Sequence, residues 1–255
     1  MHDLKQKLIA GKAVFGLFLE ADGTAVAEMA GGCGYDFLVL DGEHGQCDEH
    51  AIFAQMARLE KFGVTRLVRL PAYRHEYVKR MLDYGADGIL APMIESAEQA
   101  EEFARSMRYP PQGTRGMTGI FRATDYNHAF QDYYASANQS LLCAVQIESA
   151  KGVENVEEIA AVEGVDLLFI GHSDLSSDYG CYRQFDDPRI HEAEQRVLAA
   201  ARKNGKAVGM VLRPNMKLEE YLAAGVHFIC LGTDLALAQA ALAVPLRKFA
   251  GFQKD

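Results

Sequence analysis

The sequence predicts an α/β protein folded as a (β/α)8 TIM barrel. Short runs rich in Val, Leu, Ile and Phe alternate with longer amphipathic stretches, and about eight such pairs in 255 residues match this fold. Most of the runs are apolar throughout, as in parallel strands covered on both faces. A doubly wound sheet is the alternative. That fold usually has fewer strands and one glycine-rich phosphate turn, and neither GxGxxG nor GxxxxGKS/T occurs here.

The strands and helices can be placed in order along the chain. The apolar runs predict strands at residues 13–20, 37–41, 65–70, 87–93, 141–148, 165–171, 207–212 and 227–232. The amphipathic stretches predict helices at residues 24–34, 48–63, 74–85, 96–108, 152–164, 187–205, 217–225 and 236–252. Residues 108–139 are too many for a plain strand–helix connection. We expect this long loop to be functional or an oligomer contact.

Composition and charge narrow the class of protein. The hydrophobic fraction of 49% and the charged fraction of 24% are ordinary for a globular chain, and we expect one domain over residues 1–255. The formal net charge of −9 argues against nucleic acid and anionic membranes, because both attract clusters of Lys and Arg. The five cysteines form no CxxC pair, and no secretory or membrane-spanning apolar run is present. A reduced, cytoplasmic protein is therefore expected.

Ionisable residues gather at the carboxyl ends of the predicted strands, where barrel enzymes build their active sites. The opposite ends carry mostly glycines and ordinary helix termini. This asymmetry predicts an active site, and its candidates are Glu20, Asp41, Glu43, His44, Arg69, Glu148, His172, Ser173, Asp174, Arg213 and Asp234.

Glu148 and Asp174 suggest a metal site. They follow two consecutive strands, and two carboxylates without a nearby cysteine favour a hard divalent ion, Mg²⁺ or Mn²⁺. Water or substrate oxygens would fill the other positions. Alternatively, Glu148 caps the following helix and Asp174 is an N-cap. The spacing alone leaves both interpretations open.

Arg69 and His44 are candidates for the chemistry itself. A guanidinium between apolar neighbours needs an anion, either a structural carboxylate or a substrate carboxylate or oxyanion. His44 follows Asp41 by three residues, and imidazole is the usual general base near neutral pH. A structural histidine is the alternative. Asp83, near the end of a predicted helix, opposes the helix dipole, so it is either a tolerated surface acid or kept for a purpose.

Together these groups suit one chemistry. A divalent ion chelates the carboxylate and ketone oxygens of a 2-oxo acid and polarises the carbonyl. Arg69 steadies the enolate oxygen. A base takes or returns the proton as a carbon–carbon bond breaks or forms.

Several long segments, in the same order, resemble the HpcH/HpaI family of metal-dependent (class II) pyruvate aldolases. They are GYDFLVLDGEHG, VRLPAYRHEYVKRMLDYGADGILAPMIESAEQA, RYPPQGTRGM, VQIES and VEGVDLLFIGHSDLSSDYG. The resemblance covers nearly the whole chain and implies a barrel of the phosphoenolpyruvate/pyruvate-binding type. It also implies a homohexamer with C-terminal helices exchanged between subunits.

The resemblance assigns roles to individual residues. It implies that Glu148 and Asp174 bind Mg²⁺, Mn²⁺ or Co²⁺. His44 would be the catalytic base with Asp41 as its partner, and Arg69 would stabilise the enolate. Asp83 would be a catalytic acid near His44. The resemblance also implies further substrate-binding residues, namely Gln146, Gly171, His172, Ser173 and Arg122. Arg122 lies in the long loop, which would reach into a neighbouring site and contact the acceptor.

One departure from the family pattern concerns the substrate turn. Gly171-His172-Ser173-Asp174 stands where the family reads Gly-Pro-x-Asp, a turn whose backbone N–H groups face the pyruvate carboxylate. Losing the proline frees φ at residue 172, so the choice between pyruvate and hydroxypyruvate as donor stays open. The imidazole of His172 contacts metal or substrate, or faces solvent. Of these, solvent is the favoured interpretation.

The sequence therefore predicts a lyase that cleaves 4-hydroxy-2-oxo acids to pyruvate, or hydroxypyruvate, and an aldehyde. The same enzyme would run the reverse addition through a metal-bound enolate. One alternative is a related barrel lyase acting on phosphoenolpyruvate or an acyl-CoA thioester. Another is a non-catalytic 2-oxo acid binding protein, which the joint presence of the base, the arginine and both carboxylates disfavours.

Overall fold

The computed structural model describes residues 3–213 and 216–248. Eight parallel strands follow one another around a closed barrel, and β8 pairs with β1. This confirms the predicted (β/α)8 barrel, and each predicted strand overlaps one observed strand. The strands are β1 Val14–Leu19, β2 Phe37–Asp41, β3 Thr65–Arg69, β4 Gly88–Ala91, β5 Leu142–Ile147, β6 Leu167–Ile170, β7 Ala207–Val211 and β8 Phe228–Thr233.

Helices surround the barrel, and all eight predicted helical stretches are helical over most of their length. The helices are α1 Leu4–Ile9, α2 Thr24–Gly31, α3 Glu49–Leu59, α4 His75–Asp83, α5 Ala97–Ser106, α6 Phe130–Ser140, α7 Ala150–Glu154, α8 Val156–Ala161, α9 His172–Asp178, α10 Pro188–Lys203, α11 Leu218–Ala224 and α12 Asp234–Lys248. The last predicted helix extends to residue 252, and its end lies outside the described residues. Within the described ranges, no helix is both long enough and apolar enough to cross a bilayer.

Two stretches differ from the sequence-based expectation. The predicted helix 152–164 is two helices, α7 and α8, which meet at Asn155, whose side-chain amide donates to the carbonyl of Glu95 (2.8 Å). The segment 108–139, predicted to be a loop, contains a 3-10 turn and most of α6. Only Ala137 of α6 is buried, so the sequence of this helix lacks the apolar stripe that predicts a helix.

The barrel interior is filled by aromatic and aliphatic side chains that alternate along the strands. The rings of Phe37 and Phe228 stack at 3.8 Å, and Phe169 meets Phe228 edge-on at 6.2 Å. The residues that alternate with these interior positions, such as Leu38 and Leu40, point outward and pack against the helices. Since side chains alternate with a period of two, the residue two positions beyond each interior residue also faces inward.

A carboxylate links the ends of the first and last strands, in addition to the backbone hydrogen bonds between β1 and β8. Asp234, the first residue of α12, accepts the backbone N–H of Glu20 (2.8 Å) and that of Ala21 (3.2 Å). The carboxyl end of β1 is therefore fixed by a residue near the opposite end of the sequence.

The packing of Gly16 gives a test of the interior. A Cβ at this position would overlap the ring of Phe37, which the stacked Phe228 holds in place. We expect Gly16→Ala to destabilise the protein by about 1–3 kcal/mol, since overpacked cores lose roughly this amount. Urea denaturation followed by circular dichroism measures the change.

The matched control is Gly63→Ala. Gly63 is exposed, and nothing lies within 4 Å of a Cβ built there. Its substitution should change the free energy of unfolding by no more than about 0.5 kcal/mol. Equal stability of the two variants would contradict the interior packing described above.

Candidate active site

The alternation of side chains along the strands carries polar groups into the mouth of the barrel. Interior residues Phe18, Val39, Leu67 and Ala144 are each followed, two positions later, by a polar residue at the carboxyl end of the strand. Those polar residues are Glu20, Asp41, Arg69 and Gln146. A cavity of about 620 Å³ opens there, and Glu20, His44, Arg69, Gln146, Gly171, His172, Ser173, Asp174 and Arg213 are among the residues that line it.

Asp41 and Arg69 form a buried ion pair between neighbouring strands. The two residues are partners in the β2–β3 register, and Arg69 donates from Nε (2.8 Å) and Nη2 (2.6 Å) to the two carboxylate oxygens. The Arg69 guanidinium also lies 4.9 Å from the ring centre of Phe18. Burial disfavours its charged form, but the hydrogen bonds and charge of Asp41, with Glu43, outweigh burial and raise the pKa of Arg69. The guanidinium is thus permanently charged and fixed in orientation.

The partner of His44 differs from the one expected. Asp41 accepts the backbone N–H of His44 (3.4 Å) and holds Arg69, so it does not hold the imidazole. The acid beside the ring is Glu43, whose Oε2 lies 3.7 Å from Nε2 of His44 and 3.0 Å from Nη1 of Arg69. The side chain of His44 is 59% exposed, so it borders the cavity and stays free to exchange a proton.

Glu148 is 2% exposed, and its carboxylate lies against Gln146 and Gly171, two residues of the cavity wall. One carboxylate oxygen accepts the N–H of Met93 (2.8 Å) and the other accepts the amide of Gln146. Burial raises the pKa of Glu148 to about 7, with repulsion from Glu43 and Asp174 adding to the effect and the Met93 N–H opposing it. Negative charge at Glu148 is therefore unfavourable unless a cation or proton accompanies it.

The surroundings of Glu148 fit a hard cation. Asp174 lies in the first turn of α9, exposed to the cavity and near enough for its charge to act on Glu148. The side-chain amide oxygen Oε1 of Gln146 is buried without a hydrogen-bond partner among the described residues. A Cβ at Gly171 would overlap the Glu148 carboxylate, so glycine leaves the space beside it open.

The donor count is small, however. Among the residues that the structure describes, no group of three or more His, Cys, Asp and Glu side chains is arranged to hold a metal ion. Two carboxylates could hold Mg²⁺ or Mn²⁺ provided that water or substrate oxygens complete the coordination, which is common for these ions. The residues present therefore fit such an ion.

The expectation that His172 faces solvent is wrong. Its ring is 7% exposed, and Nε2 lies 2.6 Å from Oε1 of Glu194, a buried residue of α10. Glu194 also pairs with Arg213 (3.1 Å), and the His172 ring meets Phe185 edge-on at 6.0 Å. A proline at this position could make only van der Waals contacts. The imidazole of His172 instead links the turn at residues 171–174 to α10 through Glu194. Ser173, next to it, is exposed and lines the cavity.

Asp83 and Arg122 do not reach the cavity of their own chain. Asp83 ends α4 and pairs with the buried guanidinium of Arg115 (2.9 Å), away from His44. Arg122 donates to the carbonyl of Tyr84 (3.1 Å) and pairs with Glu60 (2.5 Å). It borders a hollow near the amino ends of β3 and β5, on the opposite side of the barrel. Asp83 is thus separated from His44 within the chain, whereas the expected contact of Arg122 with the acceptor in a neighbouring site stays a prediction.

Several residues in the cavity wall or directly behind it were not singled out from the sequence. Glu194 was missed, although Ile190, Ala193 and Val197 share its buried helical face, and an acid at such a position signals a specific partner. The segment after α9 adds side chains to the wall of the cavity, namely Tyr182, Arg183 and Phe185. Nothing in the local sequence of this segment marks it as part of the site.

Four groups meet around this cavity. They are the fixed guanidinium of Arg69, the accessible imidazole of His44, and the carboxylates of Glu148 and Asp174, which repel each other. A substrate with a carboxylate and a neighbouring carbonyl would find charge stabilisation at Arg69 and a base at His44. Such a set of groups suits reactions in which negative charge develops on a carbonyl oxygen.

Comparison with known proteins identifies relatives of the chain. Residues 14–241 match the family described as HpcH/HpaI aldolase/citrate lyase. A hydroxypyruvate/pyruvate aldolase of Deinococcus radiodurans is 37% identical over 255 residues, which cover 100% of this chain and 90% of that protein. A 5-keto-4-deoxy-D-glucarate aldolase of Klebsiella pneumoniae is 36% identical over 240 residues, covering 94% of this chain and 93% of that one.

Solved structures include close relatives of the fold. The crystal structure of an HpcH/HpaI aldolase/citrate lyase family protein from Burkholderia cenocepacia matches with a TM-score of 0.92 and 33% sequence identity. The match covers 98% of this chain and 100% of that chain. The family match runs from the first residue of β1 into α12 and so takes in every strand of the barrel. The chain belongs to the HpcH/HpaI aldolase/citrate lyase family.

Proposed function

We propose that the chain is a divalent-metal-dependent aldolase. It cleaves 4-hydroxy-2-oxo acids to pyruvate, or hydroxypyruvate, and an aldehyde, and it catalyses the reverse addition. The observation that carries this proposal is the cavity that brings His44, Arg69 and Gln146 together with Asp174 at the mouth of the barrel. Relatives named as aldolases of pyruvate, hydroxypyruvate and a keto-deoxy sugar acid support the reaction class.

Glu148 and Asp174 are the residues that would hold the metal. Mg²⁺ and Mn²⁺ suit their oxygen donors, and Co²⁺ is a further candidate. A bound divalent ion would supply Lewis-acid polarisation of the substrate carbonyl. Its positive charge would also relieve the repulsion among Glu43, Glu148 and Asp174 that the fold imposes.

The remaining chemistry belongs to the side chains of the protein. In cleavage, His44 accepts the proton of the C4 hydroxyl, the C3–C4 electron pair moves toward the C2 carbonyl, and the aldehyde departs. Arg69 stabilises the negative charge on the C2 oxygen, and Asp41 fixes its guanidinium beforehand. Return of a proton to C3 gives pyruvate. In the reverse direction His44 removes a proton from C3 of pyruvate, which starts addition to the aldehyde.

The C-terminal helix supports assembly into an oligomer. Within the described part of α12, only Asp234 is buried, and Leu242 is 78% exposed. Further apolar side chains of the helix are also exposed, namely Leu235, Leu237, Val244 and Leu246. Leu235, Leu242 and Leu246 fall on one side of the helix, and an exposed apolar surface of this kind marks a protein interface. We infer that α12 packs on a second copy of the chain, as in the hexamer that the sequence predicts. The cytoplasmic location expected from the sequence also stays a prediction.

The proton-transfer role of His44 can be tested without an aldehyde. The wild type with Mn²⁺ should exchange the methyl protons of pyruvate for deuterium, and EDTA should abolish the exchange. We expect His44→Ala to slow it by about 10²-fold or more, the usual contribution of a general base. Proton NMR in D₂O measures the rate. His50→Ala, an exposed histidine of α3, should exchange at the wild-type rate, and equal rates for both variants would argue against His44 as the base.

The metal ligands can be tested by binding alone. Glu148→Gln and Asp174→Asn should each weaken Mn²⁺ binding by about tenfold or more, because a carboxylate is replaced by a neutral amide. Electron paramagnetic resonance of free Mn²⁺ measures the affinity. Glu192→Gln, on the exposed face of α10, is the matched control and should bind as the wild type does. Wild-type affinity in both ligand variants would remove the proposed site.

The role of α12 in assembly can be tested by introducing a charged side chain into its exposed apolar surface. Leu242→Glu places a carboxylate in the apolar surface and should lower the molar mass measured by size-exclusion chromatography with light scattering. Met29→Glu, at another exposed apolar side chain, should leave the mass unchanged. A wild type that is monomeric at micromolar concentration would contradict the inferred assembly.

A further inference from the structure

Glu20 borders the cavity but takes no part in the proposed chemistry. It follows β1, and its backbone is held on both sides: the N–H donates to Asp234 (2.8 Å) and the carbonyl accepts the N–H of Gln46 (2.7 Å). The side chain lines the same cavity as Arg69 and His44. These hydrogen bonds fix the backbone of Glu20 at the wall of the cavity.

The Glu20 carboxyl offers hydrogen-bond acceptors to the cavity. Thr233 also lines the cavity and lies within reach of the Glu20 carboxyl, and its hydroxyl oxygen accepts the N–H of Ala236 (3.2 Å). The hydroxyl proton is therefore available for Glu20, and a carboxylate has further lone pairs that can accept from other donors. Among residues 3–213 and 216–248, no Lys or Arg side chain forms an ion pair with Glu20.

The charge around Glu20 restricts what can bind there. Burial raises the pKa of the carboxyl, and the nearby Asp41 and Asp234 add to this effect, while Arg69 opposes it. A carboxylate or a phosphate placed beside Glu20 would be repelled by the carboxylates of Glu20, Asp41 and Asp234. A group that donates a hydrogen bond is accepted instead, and on 2-oxo acids and aldehydes that group is a hydroxyl.

We propose that Glu20 and Thr233 recognise a hydroxyl group of the substrate. This deepens the proposed aldolase function and rests on it. In the closed barrel, β1 and β8 lie across from β5, which carries Gln146 and leads into Glu148. A substrate bound beside Glu148 therefore extends toward Glu20. The recognised hydroxyl is either the C3 hydroxyl of hydroxypyruvate or a hydroxyl of the aldehyde, and the two sources share the same chemistry.

Steady-state kinetics of Glu20 variants distinguish these sources. One arm compares hydroxypyruvate with pyruvate as donor at a fixed aldehyde; the other compares glycolaldehyde with acetaldehyde as acceptor for pyruvate. In one arm, Glu20→Ala should lower the ratio of kcat/KM for the hydroxylated over the plain substrate by about tenfold to a hundredfold, the worth of one charged hydrogen bond. Glu20→Gln, which keeps the side-chain shape, and Thr233→Val should lower the same ratio by a few-fold.

The matched control is Asp22→Asn, an exposed carboxylate that does not line the cavity and should leave both ratios unchanged. Unchanged ratios in both arms for Glu20→Ala and Glu20→Gln would overturn the proposal. So would an equal loss for hydroxylated and plain substrates, because that indicates a structural role.

Calorimetric binding of the same four compounds supplies a readout that needs no turnover. Should the wild type show no aldol activity, the proposed function fails, and the binding ratio still tests Glu20. A preference for the hydroxylated compound that Glu20→Ala removes supports hydroxyl recognition, whereas an absent or unaltered preference contradicts it.

Discussion

The buried ion pair between Asp41 and Arg69 fixes the mouth of the barrel. Two charges in a protein interior lose much of their hydration, and this cost is offset here by two hydrogen bonds between them and by backbone N–H groups that also donate to Asp41. Because the partners sit opposite each other on β2 and β3, the pair also favours one strand register. Removing either charge would leave the other buried alone, at a cost of about 3–5 kcal/mol. The guanidinium is thus in place before any substrate arrives.

Across the cavity the fold brings together charges of the same sign. Burial raises the pKa of Glu148, and the negative charges of Glu43 and Asp174 add to this effect. Such a cluster is unfavourable by itself, and a bound cation removes most of that cost. The proposed metal ion would offset this repulsion, and Arg69 would stabilise the negative charge that develops in the proposed reaction.

Much of the barrel could be predicted because burial on both faces leaves a direct signal, an uninterrupted apolar run such as 37–41. The same signal located Arg69 and Glu148, since polar residues that end such a run must lie at the strand terminus. Pairings could not be predicted, because they depend on distances between elements. Asp83 binds Arg115 only because residues 108–140 fold back in a particular way, and His172 is buried only because α10 presents Glu194 to it.

The hydrogen bonds that Asp234 accepts from Glu20 and Ala21 link residues more than two hundred positions apart. During synthesis at the ribosome, β1 therefore waits with one edge unpaired until β8 has emerged, a long delay for an apolar strand. Contacts so distant in sequence also slow closure, because chain entropy must be lost before they form. A nascent chain that stops before β8 keeps an open edge on β1, which is a template for aggregation.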